Sequence, residues 1–245
     1  MWFGQDRKIL WKQRYGKEKE WKEQFKYCLR YFKDERYIKI KNKPIYGIYN
    51  AWDFAEIDKF IEKWNQWAKE EGFSGVYFVK AMGSHDKNEL WAFSATVARE
   101  PNYTFAYDER FLEKTIRVVK SRIIDWINRR FLLDKGKGIV MLKISYDKLW
   151  KRILNRDIKD SNTFLGAFTD WDNSPRKSYN SIIMEGATPE KFGAYMRQLV
   201  QKARERNVPM IIINAWNEWA EGAYLEPDEK YGDLYIQQIK YAKEK

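Results

Sequence analysis

The sequence predicts an α/β domain of the (β/α)8 TIM-barrel type that is incomplete in its strand count. Three observations lead there. Short apolar runs alternate with amphipathic helical stretches, and no glycine-rich phosphate loop follows any of those runs. Only four or five of the runs read as strands, whereas a closed barrel needs about eight. Alternation alone leaves a doubly wound sheet open, but the absence of Gly-x-Gly-x-x-Gly and of Gly-Lys-Ser/Thr weighs against nucleotide folds and favours the barrel. The 245 residues suit one domain spanning 1–245.

Helical spacing of Trp21, Phe25, Leu29 and Phe32 predicts a helix over Lys17–Phe32, with Cys28 on its apolar stripe as a buried structural thiol. Pro44–Tyr49 reads as a short strand, Ile57–Ala68 as a helix through Phe60, Ile61, Trp64 and Trp67, and Gly75–Val79 as a second strand after the helix-ending Gly72. A long amphipathic helix follows over Glu109–Phe131, with Phe111, Leu112, Ile116, Val119, Ile123, Trp126 and Ile127 expected on its inner side. Gly138–Leu142 fits a strand or a helix lead-in equally well. Thr163–Phe168 is a strand candidate. Thr188-Pro189 starts a helix running to Arg206, since threonine caps and proline suits the first turn. Val208–Asn214 reads as a strand buried on both faces, and Asp233–Lys243 as the closing helix.

Composition narrows the function. No stretch approaches the roughly 18 uninterrupted apolar residues of a membrane span, and MWFGQDRKILWK has no apolar secretion region, so a cytoplasmic protein without a transmembrane segment is expected. Cys28 and His85 each stand alone, which argues against disulfides, zinc and histidine-driven nucleophiles; no cofactor or metal is expected. The net charge of +11 is mostly N-terminal: residues 1–44 carry a net +8, residues 214–245 a net −3. Solvated lysines on a helix face explain it, and no nucleic-acid motif accompanies it, so no nucleic-acid partner is expected.

Chemistry concentrates where apolar runs end. Asn214 leads into Ala215-Trp216-Asn217-Glu218-Trp219-Ala220-Glu221-Gly222, and strand C-termini are where parallel α/β folds gather catalytic groups. Two carboxylates three residues apart can supply an acid and a base, so Glu218 and Glu221 are the catalytic candidates. Trp216 and Trp219 suit sugar rings, Asn217 suits hydroxyls, and Glu226 in Glu226-Pro227-Asp228 extends an acidic rim, although turn chemistry explains that last run as well. After Phe168 comes a second cluster, Thr169-Asp170-Trp171-Asp172-Asn173-Ser174-Pro175-Arg176. Trp171, Asp172, Asn173 and Arg176 offer a platform, an acceptor, an amide and a fixed cation for a polyhydroxylated or anionic ligand. The N-terminal Trp2, Trp11 and Gln13–Gly16 are a weaker third candidate wall.

At these clusters the sequence resembles the WbsX-like proteins, which are themselves similar to glycoside hydrolase family 99. The likeness is carried by Tyr15-Gly16, Phe32-Lys33-Asp34-Glu35-Arg36-Tyr37-Ile38, Lys43-Pro44, Trp171-Asp172-Asn173, and Trp216 to Gly222 through Leu225-Glu226-Pro227. It implies a (β/α)8 barrel acting on glycosidic bonds of an oligosaccharide or polysaccharide, as hydrolase or glycosyltransferase, in bacterial O-antigen or capsular polysaccharide gene clusters. By that likeness Glu218 assists attack by the sugar's own 2-hydroxyl, with net retention, and Glu221 is acid and base at the leaving group. The hydrolases carry a histidine where this chain has Ala220. WbsX-like proteins resemble this chain only from their middle onward, which implies a truncated chain with the first barrel strands missing and a complementing N-terminal fragment. A non-catalytic glycan-binding or scaffold remnant is the alternative.

Overall fold

A computed structural model of the protein describes residues 14–82, 92–131, 141–157, 162–177 and 181–244. The expectations for His85, Trp2, Trp11 and Gln13 lie outside the described residues. The chain divides into two compact units, one formed by Ile9–Val97 and the other around Ala98–Lys245.

The first unit opens with α1 (Glu18–Phe32), followed by β1 (Lys39–Ile40), β2 (Lys43–Ile48), α2 (Ile57–Glu70), β3 (Tyr77–Met82) and β4 (Ala95–Ala98), whose last residue belongs to the second unit. Lys41 and Asn42 both take positive φ, 50° and 58°, which makes the two-residue hairpin that pairs β1 with β2. Lysine at that position gives no turn signal, so the hairpin is invisible in the sequence. β2 and β3 run parallel, Ile45 beside Tyr77 and Ile48 beside Lys80. The helices pack through aromatic edges. Trp64, fully buried, lies 4.6 Å from the Tyr46 ring, 4.8 Å from Phe60 and 5.4 Å from Phe25. Cys28 is half-buried beside this cluster, and burial pushes its thiol up from the ordinary value.

The second unit contains a π-helical turn at Thr104–Asp108, then α3 (Phe111–Phe131), β5 (Leu142–Ser145), α4 (Tyr146–Asn155), β6 (Thr163–Phe168), α5 (Ser174–Lys177) and β7 (Ile182–Glu185). After these come α6 (Pro189–Glu205), β8 (Ile211–Asn214), β9 (Asn217–Glu218), β10 (Ala223–Tyr224) and α7 (Leu234–Lys243). β5 pairs parallel with β7, and β6 with β8. With β2 and β3, these pairs establish the α/β class. Thr188 caps α6 by accepting from the Lys191 N–H, and Pro189 occupies its first turn, as the sequence indicates. Trp150 of α4 stacks between Phe168 of β6 and Tyr195 of α6, at 5.6 Å and 5.3 Å.

Two expectations are corrected. It is β6, not β8, that is buried along its whole length; β8 leaves Ile212 exposed. The apolar stripe of α3 does not face inward: Leu112, Ile116, Val119, Ile123 and Trp126 are all exposed. Helical periodicity shows that a stripe exists but not which side of the helix finds a partner.

A buried ionic cluster anchors the second unit. Glu100 is fully buried, and its carboxylate lies 2.7 Å from a guanidinium nitrogen of Arg156 and accepts from the Thr104 hydroxyl at 2.7 Å. Arg156 also donates through Nε to Asp108 at 2.8 Å and lies over the Tyr103 ring. Burial raises the Glu100 carboxyl, opposed chiefly by the Arg156 charge. Removing one partner from such a cluster strands a buried charge. Arg156→Met is therefore expected to lower the unfolding free energy by about 3–5 kcal/mol in urea titrations. A loss under about 1 kcal/mol would show that the cluster is not holding this unit together.

Candidate active site

The site begins with strand register. Leu165 pairs with Ile211 and Phe168 with Asn214, so the chain leaves β6 and β8 at the same level. Gly166 in β6 is obligatory, because a Cβ there would come 1.7 Å from the Ala98 carbonyl oxygen. The Asn214 side-chain amide donates to the Glu100 carbonyl at 3.1 Å, which ties the end of β8 to the buried ionic cluster.

Beyond Asn214, whose peptide bond to Ala215 is cis, the chain folds into a small hairpin. The Trp216 carbonyl accepts from the N–H groups of Leu225 and Glu226 at 2.9 and 3.1 Å. β9 and β10 pair antiparallel, Glu218 beside Ala223, and a 3-10 turn over Trp219–Glu221 joins them. Gly222 ends that turn at φ +62°, and a Cβ there would meet the Asp172 backbone nitrogen at 2.9 Å. Glycine is thus needed both for the left-handed conformation and for the close approach of the second loop. The Trp219 ring stacks on Tyr224 at 3.9 Å and donates through Nε1 to Glu226 at 2.6 Å.

The loop after β6 is fastened to this hairpin. The Asp172 N–H donates to the Glu221 carbonyl at 2.8 Å, and Arg176 Nη1 forms an ion pair with the Glu221 carboxylate. Asp172 accepts from the Ser174 N–H, and the Asn173 side-chain oxygen accepts from the Ile182 N–H at 2.9 Å. All ten candidate residues therefore fall on two adjoining loops. Trp216, Asn217, Glu218 and Trp219 are exposed; Asp172, Arg176, Glu221 and Glu226 are half-buried; Trp171 and Asn173 are buried beneath them.

One residue escapes the sequence reading. Asp170, the second residue after β6, has its carboxyl pushed up to about 6, first by burial and then by the Asp172 charge, against a hydrogen bond from the Trp171 N–H at 2.7 Å and the pull of Lys230. Its charge in turn helps raise the hydroxyls of Tyr224, to about 12, and Tyr235, although burial is the larger cause for both. The available signal was its position, a carboxylate just past the end of a fully buried strand.

The α/β fold thus sets carboxylates, tryptophans and an arginine at the ends of two parallel strands, where such folds place their binding and catalytic groups. A family model described as "Glycosyltransferase WbsX" matches residues 1–239, and the chain belongs to that family. Two relatives described as "Uncharacterized protein WxcX", from two strains of Xanthomonas campestris pv. campestris, are each 26% identical over 219 residues, or 87% of this chain. The chain spans 28% of their length. A solved structure described as "Glycoside hydrolase-like protein" superposes over 91% of this chain and 60% of its own, with a TM-score of 0.53 at 14% identity, a likeness of fold alone.

The Asp170 shift has a consequence for stability. Its folded value lies above the ordinary 3.8, so the folded protein binds more protons between about pH 4 and 6 and loses stability as pH rises through that window. Asp170→Asn keeps the acceptor for Trp171 and removes the buried charge. Thermal unfolding is expected to show the variant more stable than the parent near pH 7.5, by up to about 2–3 kcal/mol, converging below about pH 4. A variant no more stable at pH 7.5 would refute the burial of that charge.

Proposed function

We propose that this chain acts on glycosidic bonds through Glu218 and Glu221, in the assembly or turnover of O-antigen or capsular polysaccharide. Membership of the WbsX family supports the substrate class. The observation that carries the reading is the register of β6 and β8, which brings the loop holding Arg176 and the loop holding both glutamates to one level. In this reading Glu218 takes the proton of the sugar 2-hydroxyl as that oxygen attacks the anomeric carbon. Glu221 gives a proton to the departing oxygen, then withdraws one from the incoming water or acceptor hydroxyl as that oxygen attacks the anomeric carbon and breaks its bond to O2. Glu218 returns its proton to O2, and two inversions leave the configuration retained. Exposed Trp216 and Trp219 stack on the sugar, with Asn217, Asp172 and Arg176 as its polar contacts. Glu226 holds the Trp219 ring, and Trp171 and Asn173 brace the loop from below. The whole of 1–245 then serves one (β/α)8-type domain whose remaining strands come from a complementing N-terminal segment.

Glycan binding without turnover is a second reading, favoured by one observation. Arg176 pairs with one oxygen of the Glu221 carboxylate, where a general acid needs a free face toward the leaving oxygen.

Glu218→Gln and Glu221→Gln separate the two. With bacterial O-antigen or capsular oligosaccharides as substrate and mass spectrometry as readout, each variant is expected to lose at least about 100-fold in kcat, with binding by tryptophan fluorescence retained. Unchanged turnover would reject the catalytic pair. Binding without turnover in the parent chain would establish the second reading.

A further inference from the structure

Helix α3 is mounted the wrong way round for an ordinary surface helix. Its polar side is the anchored one: Asn128 is fully buried, and Arg117 donates to Glu109 at 2.9 Å. Its apolar side faces out. Leu112, Ile116, Val119, Ile123 and Trp126 recur at spacings of four and three, which places them on one stripe about 80° wide. Leu112 is 68% exposed and Trp126 64%. At about 1.5 Å per residue the stripe runs about 21 Å, and large aromatics, Phe111 and Phe131, stand exposed at the two ends of the helix.

The charges around the stripe identify what it fits. Every charged residue exposed on α3 among the described side chains is a cation: Lys114, Lys120, Arg122 and Arg130. Lys120 borders the stripe on one side and Arg122 on the other. The acids of the helix, Glu113 and Asp125, are half-buried, and Glu113 is paired with Arg152 at 2.6 Å. An apolar stripe rimmed by cations with no exposed acid is complementary to an anionic phospholipid surface.

We propose that α3 lies in the plane of an anionic membrane surface and docks the protein there. The stripe sinks about 5–10 Å to the boundary between headgroups and acyl chains, and Lys120, Arg122 and Arg130 reach lipid phosphates. No helix among the described residues is long and apolar enough to cross a membrane, so attachment through α3 is peripheral. The competing occupants are the complementing N-terminal segment proposed above and a second copy of the chain, since the alternating spacing also fits a helix pair. The stripe covers only about two heptads, fewer than the three to four that sustain a coiled coil, and its bordering cations would face one another. Helix α3 shares no residue with the two site loops.

Cosedimentation of the full chain with vesicles tests it. Binding is expected to phosphatidylcholine vesicles containing phosphatidylglycerol and not to phosphatidylcholine alone, and to weaken as salt is raised. The exposed double variant Ile116→Asp/Ile123→Asp should lower the vesicle partition coefficient at least about tenfold, as should Lys120→Glu/Arg122→Glu, with circular dichroism and unfolding temperature unchanged. Binding to neither vesicle, or equally to both, would overturn the proposal. So would a concentration-dependent dimer that the Asp substitutions dissolve in the absence of vesicle binding.

Discussion

The parallel pairing of β6 with β8, which sets Phe168 beside Asn214, is the constraint on which the arrangement of the candidate site rests. It is held from several directions. Trp150 stacks on Phe168 from α4, the glycine at 166 admits the Ala98 carbonyl, and the Asn214 amide reaches the backbone of Glu100. A shift of the register by one residue would turn every side chain of β6 to the other face and carry the two loops out of step. Everything that makes the site a site follows from those loops starting level.

What joins the loops is mainly main chain. The Asp172 N–H to Glu221 carbonyl bond and the close approach of Gly222 are backbone contacts. The Arg176–Glu221 ion pair adds to them in a half-buried setting where a charged pair is worth roughly 1 kcal/mol or more, less than a fully buried one but not screened away. The ion pair therefore orients Glu221 within a frame the backbone has already built. Trp219 is fixed in the same manner, stacked on Tyr224 and hydrogen-bonded to Glu226, whereas Trp216 and Glu218 on the same hairpin stay open to solvent.

Much of this is readable in the residues, and the rest has physical reasons for being hidden. Helices with strong stripes or caps, such as α2 and α6, come through with their starts in place, because threonine, proline and 3.6-residue periodicity act locally. The two site loops are legible because each follows an apolar run. The β1–β2 hairpin is not, since its positive-φ turn is built from lysine and asparagine without glycine. β7 and β9 are too short for a periodic signal, and α4 carries its Tyr146, Leu149, Trp150 and Ile153 face directly after β5 with no intervening turn. The raised Asp170 carboxyl depends on burial by residues distant in sequence, and the outward stripe of α3 on which side of the helix is anchored. Both depend on tertiary packing, and for Asp170 the local pattern offers only its place just past an apolar run.

The central claim is that the loops after β6 and β8 form one physical site. A double-mutant cycle on Arg176→Met and Glu221→Gln, read by urea unfolding, tests it most directly. A coupling of about 0.5–3 kcal/mol between the two substitutions is the expected result. Additivity within about 0.3 kcal/mol would contradict a shared site.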